Sequence, residues 1–148
     1  MLFMGSGKYP SENEYSVYIK DNGGMSNAYT SLTNTNYHFD VSNEAFEGAL
    51  DRMSQFFLAP NFAESSTEKE MNAVNSEFKQ SLQNDAWRSF SLLQQNTNPK
   101  SLLNRFNCGN LETLNAPGIR EELLSFHKKW YSANLMSLVL TSKHCLDQ

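Results

Sequence analysis

The chain has 148 residues, a formal net charge of -4, 39% hydrophobic residues and 19% charged ones. It is long enough for one domain with a core, and too apolar to be disordered. Its scattered basic residues give no electrostatic reason to expect nucleic acid, and no apolar run reaches the length needed to cross a bilayer.

Cys108 and Cys145 are lone thiols without a C-x-x-C spacing. With nothing pointing to secretion, they read as free cysteines of a reducing, cytoplasmic compartment. Met1-Leu2-Phe3-Met4-Gly5 reads as the last apolar turn of a helix closed by a glycine, and Ser142 to Gln148 stops where another helix would begin. The expectation is a single partial domain over residues 1–148, continuous with a longer chain.

In chain order, Ser11 and Glu14 form a capping-box pattern ahead of a helix with Tyr15, Tyr18 and Ile19 on its inner face, ended by Gly23-Gly24. Met25 to Leu32 is too polar for a central strand and suits a sheet edge. Thr35 to Val41 alternates sharply, with Thr35, Tyr37, Phe39 and Val41 on one face, and predicts a half-buried strand paired to it in a hairpin. Ser42-Asn43 caps a helix whose core face is Phe46, Ala49, Leu50, Met53, Phe56 and Phe57, stopped by Pro60.

Ser65 to Leu82 is the most informative stretch. Met71, Val74, Phe78 and Leu82 recur at helical steps, and Ser65 with Glu68 makes a second capping-box pattern. Glu70 and Glu77 each precede a spine residue, so they share one side of the helix, at the border between core and water, across the small Ala73. A pair of this kind is most often two solvated charges. The alternative is a metal ligand with a supporting carboxylate.

Asn84-Asp85 caps a further helix with Ala86, Trp87, Phe90 and Leu93 inward. Asn96 to Asn115 is turn-rich loop. Pro117 suits the first turn of a helix facing inward through Ile119, Leu123, Phe126 or His127, and Trp130, and Leu135 to Leu140 reads as a buried strand. The element order gives an α+β fold, helices packed on one side of a mainly antiparallel sheet.

Several blocks carry a resemblance: Met1 to Tyr15, Ser26-Asn27-Ala28-Tyr29-Thr30, Glu47 to Arg52, Asn72-Ala73-Val74-Asn75-Ser76-Glu77, Asn84 to Arg88, Gly109-Asn110 and Trp130 to Met136. Together and in this order they resemble the insulysin-like, pitrilysin-type metallopeptidases over essentially the whole chain. That family holds zinc through an inverted His-x-x-Glu-His helix and a later glutamate. The resemblance places the first motif directly before Met1, outside this sequence, so two ligands and the general base are missing from it.

The same resemblance implies that Glu77 is the downstream zinc ligand and Glu70 the carboxylate that orients the site from behind. It makes Ser26, Asn27, Ala28 and Tyr29 the edge strand to which a peptide substrate adds, with Asn27 holding a carbonyl. Trp87 and Tyr29 become candidate pocket walls, although Trp87 reads equally well as a plain core aromatic.

The implied function is a fragment of a zinc-dependent metalloendopeptidase acting on short polypeptides. Its implied partners are peptide substrates and the rest of the longer chain, with room for a homo-oligomeric parent and with neither nucleic acid nor membrane. The competing reading is a non-catalytic peptide-binding or scaffold relative that kept the fold and lost the metal. His38, His127 and His144 lack the spacing of a replacement zinc motif.

Overall fold

A computed structural model describes residues 4–105 and 108–143. Helix α1 spans Glu14–Asp21, followed by strands β1 (Met25–Thr30) and β2 (Thr35–Asp40) and helices α2 (Phe46–Leu58), α3 (Glu64–Ser81) and α4 (Asp85–Gln95). A short α5 (Leu111–Leu114) and α6 (Ile119–Trp130) complete the order. The fold is α+β: helices pack against an antiparallel hairpin.

The hairpin forms where alternation predicts it, pairing Met25 with Asp40 through to Thr30 with Thr35. β1 stops at Thr30, and Leu32 lies exposed in the connecting loop, which closes through Ser31 N–H to the Asn34 carbonyl at 2.8 Å. Tyr37 and Phe39 turn inward against the core, while Asn36, His38 and Asp40 face out.

That core is Tyr15 and Ile19 of α1, Ala49 and Phe56 of α2, and Phe62 just beyond α2. Tyr15 meets Phe56 edge-on at 5.0 Å between ring centres. Gly24 lets the end of α1 reach the hairpin: a Cβ there would stand 2.1 Å from the Asp40 carbonyl oxygen.

Polar contacts fasten the segment that enters this core. Ser6 is fully buried and bridges to Pro60, and Gly7 N–H donates to the Ala59 carbonyl at 2.9 Å. Asp51 accepts from Lys8 Nζ at 2.6 Å and from Tyr9 Oη at 2.5 Å. Arg52 lies between the rings of Tyr9 and Tyr18, 4.4 Å and 3.9 Å from their centres, and pairs with Glu14 at 3.2 Å.

Several sequence expectations give way. Neither capping box forms. Glu14 turns to Arg52 rather than back to its own N-terminus, and Asn13 is the residue at the cap. Ser65 lies inside α3, which starts at Glu64, and its hydroxyl donates to Glu12 at 3.3 Å. Ser42 leads into a 3-10 turn without a side-chain cap.

Leu82 falls at the end of α3 and is exposed. On α6 His127 faces inward and Phe126 and Trp130 stay exposed; Pro117 precedes the helix, which is capped by Gly118 at φ 79°.

α4 has its cap, with Asn84 Oδ1 accepting from the Ala86 and Trp87 amides at 3.0 and 3.2 Å, yet buries no residue. Trp87 and Leu93 are exposed instead of inward. Leu135 to Leu140 is not a buried strand: Ala133–Leu135 makes a 3-10 turn, and Leu138 and Val139 are 75% and 86% exposed. An apolar run becomes a strand only by pairing its backbone, and the sheet of the described residues ends at β1 and β2.

Candidate active site

The register of the hairpin decides which groups of β1 face its open edge. Ser31 and Asn34 form a hydrogen-bonded pair, so antiparallel alternation makes Tyr29, Asn27 and Met25 the residues bonded to β2. Ser26, Ala28 and Thr30 therefore turn their N–H and C=O groups outward. Their side chains share the inner face with Phe39 and Tyr37, where Ser26 and Ala28 are half-buried. Asn27 and Tyr29 are exposed on the outer face, and Tyr29 approaches the His38 ring at 6.5 Å. Asn27 Oδ1 accepts from the Ala28 amide at 2.8 Å, so the central outward donor of the edge is held by a displaceable side chain.

The carboxylate pair is carried separately, because β1 packs on β2 and α1 whereas α3 packs on α5. Along α3, Met71, Val74 and Phe78 form the half-buried spine, as their spacing predicts. Glu70 is half-buried. Glu77 is exposed, and its carboxylate makes no hydrogen bond or ion pair among the described residues. Of the two carboxylates expected at the border between core and water, Glu70 lies there and Glu77 stands on the water side. The two carboxylates stand two helical turns apart, about 10 Å along the axis.

The first turn of α3 has a polar anchor that no local pattern announces. Glu12 accepts from Ser66 Oγ at 2.6 Å and Lys69 Nζ at 2.7 Å. Those contacts, the Lys69 bond first and Ser66 next, hold the Glu12 carboxyl below its ordinary range. Only the coincidence of an acid in the segment before α1 with Ser-Ser-x-x-Lys at the start of α3 hints at it.

The remaining expected residues separate clearly. Trp87 stands exposed on α4 against Phe90, at 6.3 Å and near right angles. His127 is structural: Nε2 lies 3.1 Å from the Phe57 carbonyl oxygen and the ring stacks on Tyr131. His38 Nδ1 sits 2.9 Å from Asn36 Oδ1. Cys108 is exposed, while Cys145, His144 and the first three residues of the helical turn expected at Met1 to Gly5 lie outside the described residues; Met4 and Gly5 are described and are not helical. No helix among the described residues is long and apolar enough to cross a membrane.

The α+β arrangement of hairpin and helices is that of the pitrilysin fold. The crystal structure of pitrilysin superposes on 99% of this chain and 16% of its own, with a TM-score of 0.90 at 38% identity. The family model described as Insulinase (Peptidase family M16) matches residues 1–100, and the chain belongs to that family. It is 52% identical to the A-factor-processing enzyme of Saccharomyces cerevisiae over 99% of this chain. It is 50% identical to the insulin-degrading enzyme of Homo sapiens over the same share. The chain spans 15% of the length of each of these two relatives.

Two other relatives are named as zinc proteases. The donor set here meets that metal only partway. Glu70 and Glu77 offer carboxylate oxygens of the kind zinc accepts, but zinc takes four ligands, at least three from protein. Among the described residues no three His, Cys, Asp or Glu come together. The described part of this chain does not build a zinc site by itself.

Proposed function

We propose that this chain is the substrate-edge and glutamate-bearing part of a zinc-dependent metalloendopeptidase. A peptide adds as a strand along β1, pairing with the outward groups of Ser26, Ala28 and Thr30. Asn27 leaves the Ala28 amide as the peptide arrives and takes a substrate carbonyl. Ala28 keeps the inner face shallow, and Tyr29 and Trp87 offer exposed aromatic surface for side chains.

In the complete protein Glu77 supplies one ligand to the metal, and Glu70 orients the site from the half-buried side of the same helix. Zinc, when bound, supplies Lewis-acid polarisation of the scissile carbonyl and a water of lowered pKa. The residues of this chain hold and orient the peptide and contribute the carboxylate.

The observation that carries this reading is the uncommitted Glu77 carboxylate on the side of α3 it shares with Glu70, within a chain of the M16 family. The competing scaffold reading predicts no metal-binding motif elsewhere in the protein. Sequencing the transcript upstream of the Met1 codon separates the two. An in-frame His-x-x-Glu-His segment is expected; an upstream reading frame without one contradicts a catalytic parent.

A further inference from the structure

α3 is an 18-residue helix whose only buried residues, Ser66 and Thr67, lie in its first turn beside Glu12. Beyond it the helix is only half-buried, along Met71, Val74 and Phe78, so its far half has more room to tilt than its start. Glu77 lies roughly 16 Å beyond that anchor, so a tilt of about 5° would move it by about 1.5 Å. Misplacing a catalytic constellation by about 1 Å costs on the order of 100-fold in rate.

A second hold exists at mid-helix. The Leu111 N–H donates to Asn75 Oδ1 at 3.2 Å. Gly109 is buried against Val74, and a Cβ on it would stand 3.1 Å from Val74 Cγ1 and 2.6 Å from Leu114 Cδ1. The turn that presses there is rigid in its own right. Asn110 Oδ1 accepts the Thr113 amide at 2.9 Å while the Asn110 amide donates to Thr113 Oγ1 at 3.1 Å. Val74 is four residues after Glu70 and three before Glu77, so it lies on the flank of α3 that both carboxylates share.

We infer that the Gly109–Leu114 turn is a clamp that sets the direction of the Glu77 turn of α3, with Asn75 and Gly109 as positioning residues. This rests on the reading of Glu77 as a metal-holding carboxylate. The clamp separates two jobs: Glu12 fixes where α3 starts, and Asn75 with Gly109 fixes where its far half points.

The test uses the complete protein containing this chain, with the variants Asn75→Ala, Asn75→Asp and Glu77→Gln. Hydrogen exchange over residues 76–81, kcat, KM and melting temperature are read for each. Asn75→Ala should speed exchange in that segment and lower kcat about tenfold, with KM and melting temperature close to wild type. Asn75→Asp should restore both, since its carboxylate accepts the same N–H.

Wild-type exchange and kcat in Asn75→Ala, beside an inactive Glu77→Gln, would overturn the clamp alone. So would a loss of kcat that tracks a lower melting temperature and is not restored by Asn75→Asp. A fully active Glu77→Gln would remove the reading of Glu77 and the clamp's purpose with it.

Discussion

Gly24 has no room for a side chain, because the Asp40 carbonyl oxygen would lie 2.1 Å from the added carbon and the Val41 Cα 2.9 Å from it. Both obstacles are backbone, which cannot swing aside as a flexible side chain can. Gly24→Ala is therefore expected to destabilise the chain by about 1–3 kcal/mol, seen as a lower urea midpoint with an unchanged slope. Asn27 makes the opposite kind of case. Its side chain is exposed and its hydrogen bond goes to the neighbouring Ala28 amide of its own strand, so Asn27→Ala in the complete protein should leave the fold intact and raise KM by several-fold with little change in kcat. Steady-state kinetics on a short peptide checks this.

At the level of elements, the Glu12 anchor of α3 gives a pH dependence of known sign. Glu12 has a folded pKa lowered by Lys69 and Ser66. Its contribution is complete above the ordinary glutamate value and is lost as pH falls through the lowered one. Asp51, held down by Lys8 and then Tyr9, loses its contribution in the same direction. Melting temperature should hold steady from pH 7 to about 5 and then fall through the acid range. Replacing Glu12 by Gln should flatten part of that fall.

The same elements show what periodicity reveals. β2 and α2 were legible because their side chains are sorted by burial against a core present in the chain: Tyr37 and Phe39 inward, Ala49 and Phe56 inward. The Asn84 cap of α4 was legible too, but the two capping boxes were not, because a Ser and a Glu three apart encode a local bond that loses to distant partners, Arg52 for Glu14 and Glu12 for Ser65. The glutamate pair was visible as a pattern on α3, but its Asn75 and Gly109 support was not, since contacts across 36 residues leave no mark on local spacing. The Leu135 to Leu140 run misled for a related reason: apolarity without a pairing partner does not make a strand.

On the scale of the molecule, a well-packed half contrasts with a sparsely packed one. Residues 4–62 hold nearly all the buried apolar side chains, whereas α4 buries none and the run beyond α6 lies open. The chain also brings no third metal-binding residue to the Glu70–Glu77 pair among its described residues. The isolated 148-residue chain is therefore expected neither to cleave peptides nor to keep stoichiometric zinc through dialysis against a mild chelator. Full zinc retention would show that the chain completes a site unaided, contrary to this account.

The most direct test of the central claim is the zinc content of the complete protein before and after Glu77→Gln. On the proposed assignment of Glu77 as a ligand, the substitution should lower retained zinc at least tenfold under the same dialysis, with on the order of 100-fold or more lost in peptide hydrolysis. Equal zinc in both proteins would contradict the assignment of Glu77 and the reading of α3 built on it.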